Sequence, residues 1–126
     1  DEVLLLMAQQ LTDSFRENDL LFRYGGEEFA MVLMDIEPEQ AQLTLDRFRK
    51  KIASYKFPSI DQVTVSIGYT LFDQRLSMDQ LIEQADTALY HCKGTTRNAV
   101  HGYHGLVDKR LIPVLKESKI PQVEVS

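Results

Sequence analysis

Between two apolar runs, Leu20 to Tyr24 and Phe29 to Met34, the chain reads Gly25-Gly26-Glu27-Glu28. The runs have strand composition and the glycine pair suits a tight turn, so the segment predicts a hairpin with carboxylates at its tip. Glycines let the backbone take positive φ angles and let a bulky ligand approach closely. Adjacent carboxylates supply the hard oxygen donors that Mg²⁺ prefers. Together they suggest phosphates held through metal. A plainer reading also fits these four residues taken alone: the glycines make the turn and the glutamates keep it soluble.

The elements that must carry this tip follow from periodicity. Val3, Leu6, Met7, Leu11 and Phe15 form a helical stripe over Glu2 to about Phe15, ending near Asn18. Pro38 opens a second helix, with Glu37 and Glu39 at its positive end and Ala41, Leu45, Phe48 and Ile52 as its buried face. Val63 to Leu71 reads as a core strand in which Gly68 marks a close approach. Ser77 and Asp79 are candidate caps for a third helix, whose Leu81, Ile82, Ala85, Ala88 and Leu89 keep helical spacing up to Lys93, where Gly94 stops it. A short strand near Asn98 to His101 and a helix from Leu106 to Glu117 complete the prediction. Phe29, Phe48, Phe72 and Tyr90 are expected in the core. The order is α+β, helices covering a mostly antiparallel sheet.

Composition bounds the function. The 126 residues make one domain with a real core, 44% of them hydrophobic. A net charge of −5 argues against a nucleic-acid surface, which needs clustered Lys and Arg. No apolar run reaches membrane-spanning length. The single cysteine, Cys92, cannot form an internal disulfide and is expected to pack, in keeping with a cytoplasmic location. His91, His101 and His104 lack a zinc-ligand spacing, so no metal is assigned to them.

The hairpin motif is accompanied by Arg16-x-x-Asp19 upstream, by Val65-Ser66-Ile67-Gly68, by Ala85-Asp86-x-Ala88-Leu89-Tyr90-x-x-Lys93, and by Arg97-Asn98. This set closely resembles the GGDEF domain of bacterial diguanylate cyclases, in the variant with glutamate at the third motif position. The resemblance covers residues 1 to about 100 and leaves 101–126 as a C-terminal extension, completing the sheet or partly mobile. It implies the nucleotide-cyclase-like palm fold. It also implies the condensation of two GTP into cyclic di-GMP with release of pyrophosphate, in the cytoplasm or on the cytoplasmic side of a membrane-attached parent.

Carried over residue by residue, the resemblance makes Glu27 the main catalytic and metal carboxylate, with Glu28 supporting it, for Mg²⁺ or Mn²⁺. Gly25 and Gly26 let the nucleotide lie against the backbone, Lys93 and Arg97 reach the triphosphate, and Asp1 reads guanine. Arg16, Asp19 and Arg47 correspond to an inhibitory site for the product. The implied partners are a second GTP-loaded copy and an upstream sensory or dimerisation domain.

The family's opening strand and first helix, with a second metal-binding aspartate, are not in this sequence. The fold is thus expected to be N-terminally incomplete, the chain alone inactive and its longer parent active. Since the missing strand is central in the family, the resemblance implies a gap, filled by the tail, by a second copy or by an upstream segment. Two rival readings remain open at this stage: an inactive cyclic di-GMP-binding module, and a linker or dimerisation domain without nucleotide affinity.

Overall fold

A computed structural model describes residues 9–10, 15, 19–25, 28–56, 63–93 and 98–112. Within them the chain runs β1 (Leu20–Gly25), β2 (Glu28–Leu33), α1 (Pro38–Ser54), β3 (Ser66–Leu71), α2 (Met78–Lys93), β4 (Ala99–Gly102) and α3 (Tyr103–Asp108). Gln9 and Gln10 are helical, in keeping with the first expected helix. The final helix is shorter and earlier than its apolar residues suggest, and residues 113–126 lie outside the described part.

The four strands form one sheet in the order β1-β2-β3-β4. The α+β architecture stands, but the pairing is mixed rather than mostly antiparallel. β1 and β2 are antiparallel, while β2–β3 and β3–β4 are parallel. The connections explain this. A short turn reverses the chain between β1 and β2, whereas α1 and α2 each carry it back to the starting end before the next strand. β2 pairs with β3 directly, from Glu28↔Ser66 through Leu33↔Leu71, so the implied central gap is absent among the described strands.

Residues alternate between the two faces. On one, Phe29, Met31 and Leu33 of β2, Ile67 and Tyr69 of β3 and Val100 of β4 pack against Ala41, Leu45, Phe48 and Ile52, the predicted stripe of α1. Burying each large apolar side chain contributes about 1.5–3 kcal/mol, so this cluster dominates the stability. Pro38 occupies the first turn of α1, Glu39 lies in that turn and Lys51 in the last, as the dipole favours. Gln42 ties α1 to the sheet: its Nε2 donates to the Val100 carbonyl at 3.1 Å and its Oε1 accepts from the Tyr69 hydroxyl at 2.8 Å.

The other face carries α2. Its start is a reciprocal cap in which the Gln80 N–H donates to Ser77 Oγ at 3.1 Å and the Ser77 N–H donates to Gln80 Oε1 at 2.8 Å. Ser77 is therefore the cap, and Asp79 serves as an acidic first-turn residue. Ala85 and Leu89 pack on Ala30 and Phe22. A Cβ on Gly68 would lie 2.0 Å from the Leu89 nitrogen, so the glycine is what lets helix and strand meet. The buried Thr70 hydroxyl donates to Gln84 Oε1 at 2.7 Å, a second link between β3 and α2.

Two aromatic expectations fail. Phe29 and Phe48 are buried, but Phe72 is 42% exposed and Tyr90 76% exposed. Tyr90 follows Leu89 by one residue, a rotation of about 100° that takes it off the buried stripe. Phe72 lies just beyond β3, where the sheet no longer covers it.

At the seam between α2 and β4, Cys92 is buried and its thiol donates towards the Ile67 and Ala99 carbonyls. Burial pushes that thiol up to about 11. The sequence separates His91 and His101 widely, yet their rings meet edge to face with centroids 4.9 Å apart. Burial, then the His91 and Lys109 charges, hold His101 below its ordinary value of 6.5. The unfolded chain therefore takes up a proton at higher pH than the fold does. This stabilisation is complete above about pH 6.5 and is lost as pH falls towards the depressed value. The urea midpoint is expected to decline between pH 7.5 and 5.5, and His101→Gln to flatten that decline; identical pH profiles for the two proteins would refute the assignment.

Candidate functional site

The hairpin pairs Leu20↔Val32 through Arg23↔Phe29 and closes at Gly25↔Glu28, with a register irregularity between Arg23 and Gly25. Gly26 and Glu27, at the tip itself, lie outside the described residues, as do Asp1, Arg16 and Arg97. Glu28 opens β2 and is partly exposed. Across the sheet it is level with Ser66 and Ala99.

Helix α2 returns to this same end. Leu89 sits over Gly68. From there Lys93 is four residues on, about 6 Å along a helix axis. Ser66 is two residues back from Gly68, about 6.6 Å along a strand. The backbone of Lys93 thus ends its helix above the Glu28–Ser66 row. The fold gathers Gly25, Glu28 and the Lys93 turn at one end of the sheet, although more than sixty residues separate hairpin from lysine in sequence.

Tyr24, immediately before the turn, is 49% exposed. Hydrogen bonding by Asp86 of α2, then burial and the Asp86 charge, push its phenol up to about 12, so it stays protonated throughout the neutral range. The Oδ1 atom of Asp86 is buried and takes no hydrogen bond. Sequence reading had Asp86 only as a letter of the motif and passed over Tyr24. The available signal was position, since Tyr24 adjoins Gly25 and Asp86 precedes Lys93 by two helical turns.

Among the described residues no three of His, Cys, Asp and Glu are grouped as metal ligands, and Glu27 is outside them. Of the carboxylates that the resemblance assigns to a cation, Glu28 is among the described residues and supplies the hard oxygen such a cation takes.

Asp19 and Arg47, the described residues of the proposed product site, lie elsewhere. Asp19 stands at the opposite end of β1, where its Oδ1 accepts the Met34 N–H at 2.9 Å, so one carboxylate oxygen is committed to closing the strand pair. Arg47 is exposed on α1. Phe15 and Phe48 meet edge to face at 5.6 Å, which brings the residue before Arg16 against the residue after Arg47. A cleft of about 610 Å³ opens at the far end of β3 and β4, between α1 and α3, and none of the motif residues lines it. No helix among the described residues is long and apolar enough to cross a membrane.

Comparison with known proteins bears on the family and the fold. A family model described as "Diguanylate cyclase, GGDEF domain" matches residues 1–99. The chain is 36% identical over 100 residues to diguanylate cyclase DgcM of Escherichia coli (strain K12), covering 79% of this chain and 24% of that protein. It is 34% identical over 104 residues to diguanylate cyclase DosC of the same strain, covering 79% and 23%. The chain thus spans about a quarter of the length of these relatives. Among solved structures, the GGDEF domain of DgcB from Caulobacter crescentus in complex with c-di-GMP aligns with a TM-score of 0.65 at 29% identity, covering 81% of this chain and 63% of that one. With four fifths of its sequence matched and its α+β fold shared, the chain belongs to the GGDEF domain family.

Proposed function

We propose that this domain, within its longer parent, condenses two GTP into cyclic di-GMP. The observation that supports the reading is the meeting of the hairpin end and the last turn of α2 at one end of the sheet. Carboxylates on one element and a lysine on the other then flank a single ligand. In each half-reaction a ribose 3′-hydroxyl attacks an α-phosphate and pyrophosphate leaves, chemistry that depends on positioning and charge neutralisation.

Glu27 and Glu28 would hold a divalent cation, which would supply Lewis-acid stabilisation of the phosphates. The chain's own contributions are these. Gly25 and Gly26 allow the nucleotide to lie against the turn. Glu27 orients the attacking hydroxyl and Glu28 supports it. Lys93 and Arg97 neutralise the triphosphate, and Asp1 contributes to guanine selection. One domain holds one GTP, so a second loaded copy faces it, brought there by an upstream domain. Arg16, Asp19 and Arg47 bind product and slow turnover.

The test is to incubate the full-length parent with GTP and Mg²⁺ and follow cyclic di-GMP by mass spectrometry, with and without added product. Formation that slows as cyclic di-GMP accumulates is expected. A dimeric, folded parent that binds cyclic di-GMP but forms none from GTP would overturn the enzymatic reading.

A further inference from the structure

We propose that His91 and His101 form a two-imidazole site for a divalent late transition ion, Zn²⁺, Ni²⁺ or Cu²⁺, at the seam between α2 and β4. The site stands apart from the hairpin carboxylates and does not rest on the cyclase reading.

The rings lie at chelating distance. An imidazole nitrogen sits about 2.0–2.1 Å from zinc and roughly 1.1 Å from its own ring centre, so two rings on adjacent positions of one ion have centres roughly 4.5–5.2 Å apart. Those of His91 and His101 are 4.9 Å apart, and their planes cross at 87°. A nitrogen lone pair lies in the plane of its ring. Stacked parallel rings therefore cannot share an ion, whereas crossing planes share a line on which an ion lies in both. A half-turn of either ring about its bond to Cβ changes the nitrogen it presents and leaves that plane where it is.

Both backbones are held before any ion arrives. β4 pairs with β3 through Gly68↔His101. α2 is fixed to the same two strands by Cys92, the residue after His91, whose thiol lies 3.4 Å from the Ile67 carbonyl oxygen and 3.6 Å from that of Ala99. The pair is thus built on a helix and a strand, which hold a ligand set more firmly than loops do. Among the described residues neither imidazole spends a nitrogen on a hydrogen bond. Each residue is half-buried and His101 lines the cleft of about 610 Å³, so an ion has a path in and water can complete its shell.

The surroundings select the kind of ion. Among the described residues no third His, Cys, Asp or Glu completes a metal-ligating group with the pair, and Lys109 adds a positive charge near His101. A hard ion such as Mg²⁺, held by oxygen donors and charge, finds no attraction there. Late transition ions bind neutral imidazole itself. Burial holds His101 below its ordinary value, which leaves it neutral above pH 7. Once bound, the ion ties the last turns of α2 to β4.

The experiment uses the full-length parent at pH 7.5 and the variants His91→Ala, His101→Gln and His104→Ala. Zn²⁺ alone is titrated in the presence of excess Mg²⁺, with calorimetry and thermal melting as readouts, and Cu²⁺ paramagnetic resonance reports nitrogen ligands. Zn²⁺ is expected to raise the wild-type melting temperature, as binding to the folded state requires. His91→Ala and His101→Gln should each weaken Zn²⁺ binding by at least about tenfold and reduce the nitrogen splitting. His104→Ala should leave both as in the wild type. Each melting shift is read from that variant's own metal-free value, so a general loss of stability is not mistaken for a lost ligand.

Equal Zn²⁺ binding by the wild type, His91→Ala and His101→Gln overturns the site. Displacement of Zn²⁺ by Mg²⁺ overturns it too, as does a loss in His104→Ala as large as that in His91→Ala.

Discussion

Glu27→Gln in the full-length parent is expected to lower cyclic di-GMP formation by roughly a thousandfold, the scale at which removing one preorganised electrostatic contact slows an enzyme. Glutamine keeps the size and hydrogen-bonding reach of glutamate and removes only the charge. In sequence the residue falls between two strands whose pairing is fixed elsewhere, from Leu20↔Val32 to Arg23↔Phe29. The fold and the oligomeric state should therefore survive. Binding of cyclic di-GMP should survive too, because Asp19 and Arg47 stand away from the tip. Turnover by mass spectrometry beside product binding by calorimetry separates the two functions. A variant retaining a tenth of wild-type turnover would remove Glu27 from its role.

Gly68→Ala carries the largest expected structural effect. The added carbon would meet the Leu89 nitrogen at 2.0 Å, the Leu89 Cα at 2.5 Å and the Ala85 carbonyl oxygen at 2.6 Å. All three are backbone atoms of a helix, so no side-chain rotation relieves the clash. The helix must lift or the strand must bend. Overpacking of this kind costs about 1–3 kcal/mol and occasionally more, and the absence of any yielding atom puts this case at roughly 3 kcal/mol. Against a typical domain stability of about 5–15 kcal/mol that is a large fraction. The urea midpoint should fall with the slope of the transition unchanged. Turnover should fall as well, since lifting α2 moves the Lys93 turn from the Glu28 row. An unaltered midpoint would mean that α2 does not pack as described.

The sequence made some of this legible and hid the rest, for physical reasons. Periodicity located α1 and α2 and named Ala41, Leu45, Phe48 and Ile52 correctly, because one amphipathic stripe has one way to face a sheet. Gly68 was readable as a close approach since a glycine within a β-branched run serves little else. Strand direction was not readable, because it depends on where the crossover helices lead rather than on strand composition. Tyr90 was misplaced through its residue type, although its helical phase already put it off the stripe. The His91–His101 and Tyr24–Asp86 contacts each join residues from different elements, and no local pattern announces such a meeting. For the site, Glu28 and the Lys93 turn fall at one end of the sheet in keeping with the motif, while Glu27, Gly26, Asp1, Arg16 and Arg97 rest on the family likeness alone.

Strand β2 also acts as an indexing device. Its odd-numbered residues, Phe29, Met31 and Leu33, are sunk in the α1-side core, which leaves Glu28 and Ala30 on the side of α2. A slip of one residue would exchange the two sets, turning three large apolar side chains towards the wrong layer and the carboxylate into the core. Hydrophobic burial several residues away thus selects the direction in which the acid points. Aim and stability share one source, so a change that loosens the β2 core should scramble the carboxylate's heading before it unfolds the domain.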